Sequence, residues 1–390
     1  MMFAENNISI VGEACTGCGA CADICHKNAI SFGVDREGFV YPIVSELCIN
    51  CGSCLKSCHT TSNTDKVSII KSYVAITKDF SLYKRAASGG IWGTLATSFL
   101  KSSKDAVVCG AAWADGITKH ILVSSIDDPG FANLQNSKYV QSNTIGLYKK
   151  ISELIKKGNK VLFSGTPCQI AGLFSFLKEK PQNLFTIDVI CHGVPSPMFL
   201  NKDLDLYGCK KPRSISFRWK NALLPKSGYF LCLSHRKSAS IGRHIFSSNA
   251  DPYFSLFMRN ATFRLCCYNC RYANLNRVGD ITIGDCDSSR YYTQFSPQKA
   301  TSTVIISTEK GAKLWNDNSA LFDYCALDLT REAEINKQLV CPSEKPDIRD
   351  KVYIDLNTMS IKDFRNKYGR NDSWYRLLLF RLIDLLSFRF

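Results

Sequence analysis

The chain is 390 residues long, too long for one simple core, and predicts two or three domains. No run of 18 or more uncharged apolar residues occurs, so a membrane-spanning helix is not expected. The opening MMFAENNISI lacks the basic stretch, apolar core and small-residue site of a secretory signal, so the nineteen cysteines point to metal-bound thiolates in a reducing cytoplasm rather than to a disulfide framework. The net charge of +15 is uneven: residues 1–64 carry −3 and the rest +18. A basic body suits acidic electron carriers, phosphate-bearing cofactors or an anionic membrane surface. Nucleic acid is not expected as a partner, since no recognition motif accompanies the charge.

Along the chain, the first feature is a cysteine repeat. Cys15, Cys18, Cys21 and Cys25 stand in C-x2-C-x2-C-x3-C spacing, and Cys48, Cys51, Cys54 and Cys58 repeat it 33 residues later. In the bacterial ferredoxin pattern three cysteines of one run hold a 4Fe-4S cluster, and the fourth reaches across to the other. That assigns Cys15, Cys18, Cys21 and Cys58 to one cluster, and Cys48, Cys51, Cys54 and Cys25 to the second. Gly17, Gly19 and Gly52 keep the loop backbone close enough for its N–H groups to bond to sulfur. Zinc ribbons need only two cysteine pairs and would leave half of each run surplus. His26 and His59 replace the proline that usually follows the fourth cysteine, and both read as surface or supporting groups rather than ligands.

Residues 60–66 read as a polar linker. Strands are predicted over 73–77, 106–113, 160–164, 185–190, 280–284 and 301–307, and helices over 91–100, 147–157, 169–178 and 310–322; this alternation argues for an α/β body. Ser88, Gly89 and Gly90 precede a helix and would offer free backbone N–H groups to an anion, although a plain turn gives the same pattern. Cys168 and Cys191 fall at the carboxyl ends of two strands, the ligand edge of an open parallel sheet. Cys267 and Cys270 form a C-x2-C pair that needs two more ligands, and Cys168 and Cys191 are the natural partners for a third 4Fe-4S cluster. A zinc site and a set of unliganded buried cysteines remain open, and Cys266 and Cys286 compete as ligands. Trp374–Phe390 reads as a helix with Arg376, Arg381, Asp384 and Ser387 on one side. An interfacial membrane helix, a docking helix for a partner, and packing on the protein's own body are all open to it.

Several of these stretches together resemble one family. They are Ala87–Gly90, Ser137-Lys138-Tyr139-Val140-Gln141-Ser142, Ser164-Gly165-Thr166-Pro167-Cys168-Gln169, Cys191-His192-Gly193-Val194-Pro195, Cys267-Tyr268-Asn269-Cys270 and Asp280-Ile281-Thr282-Ile283-Gly284-Asp285. In this order they look like the beta-subunit family of coenzyme F420-reducing hydrogenases and dehydrogenases. The resemblance implies an α+β ferredoxin-like N-terminal module (residues 1–62), a larger α/β flavin-binding domain (68–345) and a helical C-terminal tail (346–390). It further implies that Ser88, Gly89, Gly90, Ser137, Lys138, Gly165 and Thr166 line an FAD, and that Lys138 and His192 are the candidate catalytic groups. Lys138 would be a point positive charge near the flavin's phosphates or reduced ring. The sequence departs from the family pattern at Cys286-Asp287-Ser288 and at Lys299-Ala300-Thr301-Ser302.

The implied function is an iron–sulfur flavoprotein oxidoreductase passing electrons between a one-electron carrier, such as ferredoxin or a partner subunit, and a small-molecule hydride acceptor or donor. Coenzyme F420 and a polysaccharide-biosynthesis substrate are the candidate small molecules. The second reading is a non-catalytic iron–sulfur electron-transfer subunit of a larger complex.

Overall fold

Cysteines occupy so much of the N-terminal module that little apolar chain is left for a core, and its regular structure is short. In the computed structural model, which describes residues 6–62, 68–221, 224, 229–237, 240–370 and 372–386, the module opens with a 3-10 segment over Ile8–Ala14. It continues through α1 (Ala20–Ile24), the antiparallel hairpin β1 (Ile30–Val34) and β2 (Val40–Val44), and α2 (Ser53–Lys56). Ile8, Cys21, Cys54 and Cys58 form its small core. The segment expected as a linker falls outside the described residues from position 63 to 67.

The body begins with β3 (Lys71–Thr77), α3 (Phe80–Arg85), α4 (Ile91–Ser102) and the hairpin β4 (Ala106–Ala114) and β5 (Ile117–Val123). Next come α5 (Pro129–Leu134), α6 (Leu147–Lys156), β6 (Lys160–Gly165), α7 (Pro167–Leu177) and β7 (Leu184–Val189). An insertion follows, with α8 (Pro197–Leu206), β8 (Ser214–Ser216), β9 (Phe230–Lys237), β10 (Ser240–Ser247) and α9 (Pro252–Met258). The chain returns through β11 (Ile281–Asp285), β12 (Ser302–Ile306), α10 (Glu309–Asn316), β13 (Phe322–Ala326) and α11 (Leu329–Ile335). It closes with α12 (Ile348–Thr358), α13 (Ile361–Tyr368) and α14 (Trp374–Leu386).

Eight strands form one sheet in the order β13-β3-β12-β11-β7-β6-β4-β5. The central four, β11, β7, β6 and β4, are mutually parallel, and the flanking pairs are antiparallel. Val161, Leu162 and Phe163 on β6 are fully buried, as a parallel strand covered on both faces requires. Leu162 packs with Leu95, Phe99 and Phe131 on one face, while Val161 and Phe163 pack with Tyr148, Ile151 and Leu173 on the other.

The α/β body agrees with the sequence reading, and the predicted strands lie within a few residues of those observed. Two differences have physical causes. The helix expected over 310–322 stops at Asn316, because Phe322 starts β13 and turns back to stack on Trp315 at 5.0 Å. The insertion was not expected at all: its three-stranded sheet is covered by α8, α9, α12 and α13 through an aromatic core of Phe199, Phe217, Tyr253, Phe254, Tyr353 and Phe364. Its strands lack the regular apolar alternation that would make them stand out in the sequence.

Candidate functional site

The structure brings Cys58 of the second run to the first three cysteines of the first run. Cys15, Cys18, Cys21 and Cys58 are electrostatic neighbours; burial first, then Cys15 and Cys58, push the Cys18 thiol up to about 12. Cys48 neighbours Cys54 in the other group. Gly17 N–H points at Cys15 Sγ at 3.4 Å, and Ala29 N–H at Cys25 Sγ at the same distance, the backbone-to-sulfur contacts expected of the glycine-rich loops. Cys51 is exposed, whereas Cys21, Cys54 and Cys58 are buried, so the second group alone has a solvent-open cysteine, and the first touches the body through Cys18. His26 is exposed. His59 is buried, with Nε2 2.9 Å from Thr16 Oγ1 and Nδ1 2.6 Å from Tyr272 OH; burial, helped by the Arg271 charge, lowers its pKa to about 3 and keeps the ring neutral.

The module is bound to the body by polar contacts around its first cysteine group. Asp23 accepts hydrogen bonds from the N–H groups of Gly146, Tyr148 and Lys149, capping α6 from outside the helix. Arg264, fully buried, donates to Cys15 O at 2.7 Å and Val40 O at 3.0 Å and lies over the Tyr41 ring at 4.0 Å. A Cβ on Gly172 would come within 2.9 Å of Cys18 Sγ, so α7 passes the first group at backbone distance.

Cys168 lies in the first turn of that same helix. Burial raises its thiol pKa most, opposed by the Thr166 hydroxyl at 3.1 Å and reinforced by Cys191, Cys270 and Cys266. Cys267 in turn neighbours Cys266 and Cys191. All four cysteines proposed from the sequence therefore converge, and Cys266 joins them as a fifth sulfur beside Arg264 and Cys15. Cys286 does not belong there: it packs with Val74 and Leu327, 3.7 Å from the buried Glu332. The segments are clamped by Arg277, which donates to Tyr272 O and Asn274 O on the Cys270 side, and to Val189 O and Asp188 on the Cys191 side.

These cysteines form one wall of a cavity of about 970 Å³, at the upper end of the roughly 300–1,000 Å³ usual for ligand pockets. It sits at the carboxyl edge of the parallel strands. Ser88, Gly90, Ser137, Lys138, Gly165, Thr166 and His192 all line it. Gly89 does not join that lining; its N–H is donated to Ser302 Oγ at 2.9 Å, and a Cβ there would stand 2.5 Å from Ala75 O. The expected row of free N–H groups is thus one shorter, because Gly89 serves the close packing of the loop on β3 and β12. Thr166 N–H is likewise taken, by Gln169 Oε1 at 2.9 Å in a capping box. Lys138 Nζ donates to Gln135 O at 2.6 Å and Asn136 O at 3.0 Å, and burial lowers its pKa to about 7, so near neutrality it is a switchable charge and not a permanent one. His192 opens onto the cavity, and its desolvating walls lower its pKa against the pull of Asp285.

Other lining groups escaped the sequence reading. Arg218, from the insertion, donates to Asp285 at 2.5 Å and to Tyr139 OH at 3.2 Å, and lies over Tyr229 at 4.0 Å. Asp287 has its pKa raised to about 6 by burial, with Glu332 and Asp285 adding repulsion. Trp92 Nε1, both amide atoms of Gln135, and Asn136 Oδ1 are buried without a hydrogen-bond partner among the described residues, and all three side chains line the cavity. Orphaned buried polar atoms are rare in folded proteins, so a cluster of them in a ligand-sized cavity fits a bound group with donors and acceptors along its edge. A flavin has such an edge, and the five sulfurs beside it are the donor chemistry of a cluster.

The matches to known proteins fall on these two regions. Residues 14–62 match the 4Fe-4S dicluster domain, and residues 158–322 match the family described as the C terminus of the coenzyme F420 hydrogenase/dehydrogenase beta subunit. A chain of the F420-reducing NiFe hydrogenase complex from Methanosarcina barkeri, solved as a xenon derivative, aligns over 71% of this chain and 94% of its own at 17% identity, with a TM-score of 0.46. No curated protein matches this chain. The class defined is an iron–sulfur electron-transfer protein of the oxidoreductase type. Within that class, residues 158–322 are similar to the C terminus of the coenzyme F420 hydrogenase/dehydrogenase beta subunit, and they follow an N-terminal stretch similar to a 4Fe-4S dicluster domain.

Proposed function

We propose that the protein is an FAD-dependent iron–sulfur oxidoreductase with three 4Fe-4S clusters, exchanging electrons with a carrier protein at the N-terminal module and with a small molecule in the cavity. The orphaned polar atoms of Trp92, Gln135 and Asn136 carry the flavin assignment. A bound flavin supplies the conversion between paired electrons, moved as hydride, and the single electrons that clusters accept.

The chain's own groups supply order and insulation. The proposed order is the group with the exposed Cys51, then the group with Cys18, then the Cys168 group beside the cavity; Gly172 supports it by bringing Cys18 against the helix that carries Cys168. Cys168, Cys191, Cys267 and Cys270 are the proposed ligands of the third cluster. Ser88, Gly90, Ser137, Gly165 and Thr166 line the proposed flavin site, with Lys138 there to neutralise a phosphate or reduced-ring charge. Arg218 and Asp285, fixed to each other and to Tyr139, form a rigid polar wall against which a small substrate is oriented. His192 and Asp287 can each hold or release a proton at that wall. Coenzyme F420 and a polysaccharide-biosynthesis intermediate are the candidate substrates, and the reducing cytoplasm is the proposed location.

Anaerobically purified protein should release FAD on denaturation, and Gln135→Leu should lose most of it while the iron content stays unchanged. Clusters without flavin in the wild type would leave only the electron-relay reading.

A further inference from the structure

α14 has an apolar face that the rest of the protein does not cover. With successive side chains about 100° apart, Phe380 and Ile383 turn onto the β9–β10 hairpin. There they pack with Phe230, Cys232 and Ile245, and the Phe230 and Phe380 rings meet edge-on at 5.9 Å. Trp374, Leu378 and Leu382 project from the opposite side, flanked by Tyr375 and Leu377. All five are exposed, Trp374 at 77% and Leu378 at 51%. A surface helix that packs one apolar stripe normally turns charge to water; this one turns a second apolar stripe there.

The charges around that stripe are of one dominant sign. Arg381 is exposed between Trp374 and Leu377 on the helical wheel, whereas Arg376 lies on the packed side of the helix, 3.7 Å from Asp372. Between residues 361 and 390 the sequence has seven lysines and arginines against three aspartates, and the whole chain is at +15. Tryptophan and tyrosine rings settle at the headgroup level of a bilayer, arginine stems reach from apolar contact to phosphate, and a net basic protein is drawn to an anionic leaflet. Among the described residues no helix is long and apolar enough to cross a membrane. An in-plane position suits a helix of this length.

We propose that α14 is an interfacial anchor that lies in an anionic membrane surface, with Trp374, Leu378 and Leu382 at the acyl boundary and Arg381 among the lipid phosphates. The test is flotation of the full-length anaerobic protein with phosphatidylcholine vesicles, with and without phosphatidylglycerol. The protein should rise with the phosphatidylglycerol vesicles and be released by high salt. A Leu378→Glu/Leu382→Glu variant and, separately, Trp374→Lys, each with the wild-type iron–sulfur absorbance, should stay behind. Wild type that does not float would overturn the proposal, as would equal binding to pure phosphatidylcholine or variants that float like wild type. So would a wild-type dimer that Leu378→Glu splits, without any vesicle binding, because a second copy would then be what covers the face.

Discussion

Arg277→Met should both destabilise the body and empty the proposed third cluster. The Arg277 and Asp188 side chains are 1% and 0% exposed, and their charged atoms lie 3.4 Å apart. Without the guanidinium, Asp188 keeps, among the described residues, the N–H groups of Val278 and Gly279, each at 3.3 Å, and three carbonyl oxygens lose a donor. Breaking one side of a buried pair costs about 3–5 kcal/mol. In a domain of this size that lowers the melting temperature by roughly 5–10 °C. The loss is also local, since Arg277 ties the Cys270 loop to the strand leading into Cys191, and iron should fall by about four atoms per chain, one cluster's worth. Adding Asp188→Leu should recover much of the stability, because an apolar pair leaves no stranded charge. Differential scanning calorimetry and iron assay of anaerobic protein measure both effects. A single variant that melts within about 1 °C of wild type, a small fraction of that shift, with full iron content would refute the clamp.

Three further outcomes follow from the same geometry. Lys138 has its free pKa lowered to about 7, and a bound phosphate would favour the charged amine, so FAD binding should take up a proton; affinity should fall as pH rises above about 7, and titration of Lys138→Met should be flat over that range. Gly172→Ala places a methyl group 2.9 Å from Cys18 Sγ, an overpacking that costs about 1–3 kcal/mol, and iron release in air should be faster than in wild type. Glu37→Ala removes the bidentate carboxylate partner of the buried Arg349 guanidinium at the module–body interface and should cost up to about 3 kcal/mol, seen as a lower first transition on heating. Arg349 retains Asp350 at 3.1 Å, so the loss should be smaller than for Arg277→Met.

The parts of this protein that were legible in the sequence are those where chemistry fixes spacing. Eight cysteines in two identical runs have few alternatives, and their interleaving survives in the neighbours that Cys58 keeps. Cys168 and Cys191 could be placed at one sheet edge because each ends an apolar run of strand length. Long-range gathering was harder to read: Cys266 differs from Cys267 by one position, and only the turn over Leu265–Asn269 brings it beside Arg264 and Cys15. Gly89 looked like a ligand contact but serves backbone packing, a distinction that depends on where Ser302 lies 213 residues away. Gln135 and Asn136 adjoin the recognisable Ser137-Lys138 segment, yet nothing local marks an amide that will be buried without a partner. Arg218 comes from an insertion whose strands give no strong alternation, so its pairing with Asp285 could not be anticipated.

The central claim, that a dicluster entrance leads to a third cluster beside a flavin, is tested most directly by counting iron, sulfide and FAD in one anaerobic sample of wild type and of Cys168→Ala. Three 4Fe-4S clusters predict about twelve irons and twelve sulfides per chain in the wild type, with about one FAD, and about eight irons in the variant. A wild type with about eight irons and no flavin, or a Cys168→Ala protein with undiminished iron, would contradict it.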